Sequence, residues 1–267
     1  MSFNKGGHNG NLRERRARSS RAKSVLENVS LAAKISNAIG KPIEKGFELL
    51  PAKWSDVVSR ATKTALEHAL DIALAMMDDR GPRVSSNSFH KLIVAATGAG
   101  GGAFGLAGLP VELPVSTAIM LRSIADIARS EGEQIKFPDA KLACIEVFAL
   151  GGHAKVDDAA EIGYFAVRAA LAKTVSEAAK YIAERGLSQE GAPIIARFIA
   201  QVASRFGITV SEKVAAQAIP VVGAAGGAIV NLLFIDHYQD MARGHFIVRR
   251  LERTYSPELI KNAYLKL

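Results

Sequence analysis

Cysteine is almost missing from this chain: there is one, Cys144, in 267 residues. A lone thiol can form no internal disulfide and no structural zinc site by itself, so a reducing cytoplasm is the expected setting. Aromatic residues make up only 6%. None are interleaved with basic residues as in base-stacking motifs, and there is no Cys/His finger, so nucleic acid is not expected as a partner. The first 24 residues, MSFNKGGHNGNLRERRARSSRAKS, hold no apolar stretch, and no cleavable secretory signal is expected. Alternating β-branched runs joined by hairpin turns are also missing. What is left is 49% hydrophobic and 22% charged, long enough for a sizeable core and too apolar for a disordered chain.

The charge that is present is unevenly placed. Residues 1–23 carry Lys5, Arg13, Arg15, Arg16, Arg18, Arg21 and Lys23 against Glu14, a net of +6 out of +8 for the whole chain. A Gly-, Ser- and Arg-rich stretch without an apolar stripe predicts a disordered, solvated arm over 1–23, ahead of a single helical domain over 24–267. Such an arm can attract anionic lipid through Coulomb forces.

Along the body the apolar residues recur with period 3.6. From 53 to 78, Trp54, Val57, Val58, Ala61, Ala65, Ala69 and Ala73 form one stripe, and Asp56, Arg60, Lys63, Glu67 and Asp71 the other, which predicts an amphipathic helix. Residues 78–90 have the Gly-Pro and Ser/Asn content of a loop. Pro138 opens a helix that Gly151 and Gly152 close, 156–185 reads as a long helix ending at Gly186, 193–206 and 211–218 as shorter ones, and Ser256-Pro257 as an N-cap with proline at the first helical position. The fold class is all-α, a compact multi-helix bundle.

Two segments stand apart. Residues 92–111 (LIVAATGAGGGAFGLAGLPV) and 214–235 (VAAQAIPVVGAAGGAIVNLLFI) have no charge and are long enough to span a bilayer. Six of the eleven residues 98–108 are glycine, which costs a helix about 1 kcal/mol each relative to alanine. Small residues four apart, such as Gly98/Gly102 and Gly223/Gly227, let backbones approach closely. Both segments are therefore expected as central Gly/Ala-rich helices packed against one another or against membrane. A polar signature follows each, Asp126-Ile-Ala-Arg129 and Asp240-Met-Ala-Arg243. On helices, Arg122, Asp126, Arg129 and Glu133 form one stripe and Asp236, Asp240 and Arg243 another. These stripes are expected to meet in a polar seam.

Catalytic motifs fail when tested. Gly100, Gly102 and Gly105 match G-x-G-x-x-G, but no βαβ unit surrounds them and no Lys-Ser/Thr follows, so neither a dinucleotide site nor a phosphate loop is expected. Glu112 stands between Pro110 and Pro114, which should break the helix there. Its carboxylate can face Arg122 or Arg129, sit in an apolar pocket as a proton-handling group, or face water. Glu146 and the nearby His153 raise the same question. His237, beside Asp236 and Asp240, can start a metal site only if a second helix adds Glu112, Asp126 or His245, and HExxH and Glu-x-x-His motifs are absent. No cofactor and no metal is expected.

Three blocks, GLAGLPVELPVSTAIMLRSIADIARSEGE (105–133), KLACIEVFALGG (141–152) and PVVGAAGGAIVNLLFIDHYQDMARGHFIVRRLE (220–252), resemble the bacterial EcsC family over roughly residues 50–255. The family is named for a protein encoded alongside the Ecs ABC transporter. The resemblance implies a helical protein with a membrane or transport connection and carries no catalytic residues with it. Two functions are expected. One is a non-enzymatic protein attached peripherally to the inner face of the membrane, to anionic lipid or to a membrane transport or secretion complex. The other is a hydrolase using Glu112, Asp126 and Asp240, with His237 and a metal as further candidates.

Overall fold

The helices follow one another as α1 (17–26), α2 (Leu31–Ile39), α3 (Glu44–Glu48), α4 (Trp54–Met76), α5 (Gly105–Ser130), α6 (Pro138–Leu150), α7 (Tyr164–Arg185), α8 (Ala192–Ala218), α9 (Gly223–Thr254) and α10 (Pro257–Leu265). They come from a computed structural model that describes residues 17–27, 30–76, 105–152, 163–186, 192–219 and 223–267. No strand occurs among the described residues, so the all-α reading holds. Helix starts and stops follow local chemistry. The Ser256 hydroxyl caps α10 by accepting from the Leu259 amide, Pro257 takes the first turn, and Gly186 ends α7 at φ 64°.

One helix is enclosed on all sides. Every residue of α6 from Ala140 to Leu150 is buried, and it packs against α4, α5, α7, α8 and α9. A helix that is apolar around its whole circumference has no water-facing stripe to keep. Its two charged core residues, Lys141 and Glu146, are buried with it. Lys141 is satisfied by donating to the Leu74 carbonyl, 3.1 Å away near the end of α4, where carbonyls lack helical partners.

The paired helices α5 and α9 lie beside α6 and run in the same direction. Glu112 meets Asn231, Ser123 meets Gln239, and Glu133 meets Arg249, so contacts advance along both helices together. Packing between the two was expected, but their limits differ from the sequence reading. Pro110 and Pro114 lie inside a continuous α5 instead of breaking it. Pro110 faces solvent, and the buried Leu109, Leu113, Met120 and Leu121 hold the helix together through packing, which outweighs the lost backbone bonds. Residues 92–104 and the 78–90 loop lie outside the described residues. The apolar stretch 214–235 is shared between two helices, the end of α8 and the start of α9, and residues 220–222 lie outside the described residues.

Three further boundaries moved. Residues 193–218 lie in one helix, because Val202, Phe206, Val210 and Val214, buried at four-residue spacing, carry one packed face past Gly207. Residues 17–23 belong to α1, whose Ser19, Ala22 and Leu26 are buried, so the expected arm is not solvated over its full length to 23. Residues 1–16 lie outside the described residues, as do His153 and the rest of 153–162. Last, α5 ends at Ser130 and Gly132 turns the chain at φ 84°, which takes Glu133 off the Arg122–Asp126–Arg129 stripe. Among the described residues one helix, Pro193–Ala218, is long and apolar enough to cross a membrane.

Candidate functional site

Three helices converge on Glu112. Its Oε1 accepts from Lys213 Nζ of α8 at 2.6 Å and from Asn231 Nδ2 of α9 at 3.2 Å. The lysine side chain is 0% exposed and the glutamate 8%. The ammonium also lies 5.0 Å from the centre of the Phe234 ring, a favourable cation–π position. The partner of Glu112 is therefore Lys213, in place of the Arg122 or Arg129 weighed from sequence. Lys213 immediately precedes the chargeless stretch that begins at Val214, and Asn231 is one of its two polar members. Those positions were the available hint.

The two Asp-x-Ala-Arg signatures stand at matching height on the parallel helices. Just before each, Ser123 and Gln239 are joined by a 2.9 Å bond from Gln239 Nε2. Within each signature the arginine reaches back to its own aspartate, Arg129 to Asp126 and Arg243 to Asp240, both at 2.8 Å. Asp240 is also 3.7 Å from Lys34 of α2. Arg122 is exposed and Asp236 half-buried. His237 is buried with Nε2 3.0 Å from the Gly151 carbonyl at the end of α6. Gly151 is glycine for a reason of space, since a Cβ there would come within 2.7 Å of that imidazole. The four candidates for hydrolysis, Glu112, Asp126, Asp240 and His237, thus have different partners in these contacts. Among the described residues no three His, Cys, Asp or Glu side chains are grouped to hold a metal ion.

The other concentration of charge lies toward the C-terminal half of α9. Arg168 of α7 grips Glu252 with both terminal nitrogens, at 2.8 and 3.0 Å. Arg249 donates to Glu133 at 2.8 Å and to Asp139 at 2.9 Å, and Arg253 also donates to Glu133. Such forked pairs fix geometry as well as charge. Behind them Tyr164 and His245 are 3.0 Å apart, and burial holds the imidazole well below its usual range, as the neutral form. Glu146 of α6 opens toward the same charges. Burial pushes its carboxyl up to about 7, against the pull of Arg168 and Arg249. Glu146, Arg168, Arg249, Glu252 and Asp139 border an open groove of about 530 Å³ between α6, α7, α9 and α10. Of this cluster the sequence reading singled out Glu133, as the end of the Arg122–Asp126–Arg129 stripe, Glu146, and His245 only as a metal candidate. The arginines sit on ordinary helix faces, and only the tertiary fold brings them together.

Comparison with curated proteins and with solved structures finds no match. The family model for EcsC, described as the EcsC protein family, matches residues 15–251. The match begins ahead of α1 and ends within α9, so it takes in the Glu112 contacts, both Asp-x-Ala-Arg signatures, and Glu146, Arg168 and Arg249 of the groove. With nearly the whole chain covered, this protein belongs to the EcsC protein family.

Proposed function

We propose that this protein is a non-catalytic helical module that attaches peripherally to the inner face of the cytoplasmic membrane, with the starts of α5 and α9 against anionic lipid. The observation that carries this reading is an exposed apolar end on the paired helices. Val111 is 74% exposed, Val115 47% and Ile229 43%, with Pro110 exposed beside them. The bond between Glu112 and Asn231 holds these stretches of the two helices at one level of the bundle. Exposed apolar side chains held at one level on two neighbouring helices suit a face that seats in the headgroup boundary of a membrane. The basic residues ahead of α1 add attraction to anionic headgroups, worth about 1 kcal/mol for each Lys or Arg near the surface.

Co-sedimentation with vesicles of graded phosphatidylglycerol content tests the reading. Binding at low salt that rises with anionic lipid is expected, together with release by Val111→Asp/Val115→Asp/Ile229→Asp. Protein left wholly in the supernatant at low salt rejects the proposal.

A further inference from the structure

We propose that the groove along α7 is a binding site for a primary ammonium ion carried on a short aliphatic stem, with the Glu146 carboxylate as its counter-ion. This site is separate from the proposed lipid-facing end, since Arg249 and Glu252 lie twenty and twenty-three residues beyond Ile229, roughly 30 Å or more along α9.

The charge inventory of the groove leads to Glu146. Its lining carries Asp139, Glu146, Glu252 and Glu258 against Arg168, Arg249 and Lys261. Arg168 is neutralised by Glu252, and Arg249 by Glu133 and Asp139. Glu258 and Lys261 are exposed on α10. Glu146 is the carboxyl left over. It is 5% exposed, it lines the groove, and among the described residues no hydrogen bond or ion pair reaches it. A buried acid without a partner carries a desolvation cost that a ligand cation can remove.

The wall beside it sets the rest of the ligand. Ala169, Ala172, Val175 and Ala179 of α7 present a narrow apolar strip along the groove. Small side chains leave room for methylene groups there, while an ammonium head at Glu146 gains a charge-assisted hydrogen bond. A carboxylate head would meet Glu146 and Glu252, and the guanidiniums that would welcome it are already engaged.

The test titrates n-butylammonium into the full chain at about pH 8, where the Glu146 carboxyl is ionised, with n-butanol as the uncharged comparison. Binding is followed by the Glu146 carboxyl carbon and the methyl resonances of Ala169 and Ala172. Saturable binding is expected, about tenfold or more weaker for the alcohol, and weakened to a similar degree by Glu146→Gln. Ala172→Leu, on an exposed position of α7 that keeps the fold, should also block the stem while leaving Glu146 intact. Equal affinity in Glu146→Gln, binding undisturbed by Ala172→Leu, or no saturation by about 100 mM would overturn the assignment. Vesicle binding is read separately, so failure here leaves the membrane proposal standing, and the reverse holds too.

Discussion

The ammonium of Lys213 and the carboxylate of Glu112 meet at 2.6 Å across two helices, and both side chains are almost wholly out of water. Removing one partner strands the other, which costs about 3–5 kcal/mol in buried pairs. Lys213→Met is therefore expected to lower unfolding free energy by that order, and Glu112→Gln/Lys213→Met to recover much of it. Urea denaturation of the two single variants and the double variant closes the cycle. Additive losses would show that the pair is not coupled.

Glu146 makes stability fall as pH rises. Its carboxyl titrates near 7 in the fold and near the ordinary carboxylate range when unfolded, so between those values the folded chain holds the extra proton. Stability from this group is complete below about pH 4.5 and is lost as pH climbs through 7, a difference on the order of 3 kcal/mol. Arg168, Arg249, Asp139 and Glu252 face the same group, so the comparison is wild type minus Glu146→Gln. That difference in melting temperature should be near zero at pH 4.5 and favour the glutamine at pH 8. A constant difference across the range would refute the assignment.

Gly244 is where α1 meets α9. A Cβ there would collide with the Leu26 side chain, which is itself buried. Gly244→Ala is expected to destabilise by roughly 1–3 kcal/mol, as overpacking does, and to expose the α1 backbone to hydrogen exchange. Restoring room with Leu26→Ala should recover the α1 protection pattern in part. Exchange that is unchanged in Gly244→Ala would mean α1 is held elsewhere.

Cys144 reports on opening of the core. It is fully buried in α6 and burial pushes its thiol far above the usual cysteine range, so the reactive thiolate is scarce while the fold is closed. Labelling by a disulfide reagent at pH 8 should follow the global unfolding rate and accelerate with denaturant. Fast labelling under native conditions would contradict this burial.

Fold class, the start of α4, the closure of α6 at Gly151 and the cap of α10 were legible from sequence, because periodicity and capping residues act locally. The Asp-x-Ala-Arg signatures were legible as a pair for the same reason. What escaped was whatever tertiary packing decides. Proline at 110 and 114 signals a break locally, yet Leu109 and Leu113 are buried on the next face and keep the helix whole. The enclosed position of α6 was hidden because Lys141 and Glu146 put charges on an otherwise apolar segment, and charges signal a water-facing side. Lys213 was overlooked because nothing local shows that a lone lysine at the edge of an apolar run will find an acid 101 residues earlier.

The bonds joining α5 to α9 span 116 to 119 residues of chain. Two neighbouring helices that point the same way cannot be tied by a short turn, so α6, α7 and α8 supply the return path. Loop closure must be completed across that whole distance before the pair gains anything. Chain assembly is consequently governed by an encounter between distant halves, and refolding slower than that of up-and-down bundles of equal length follows.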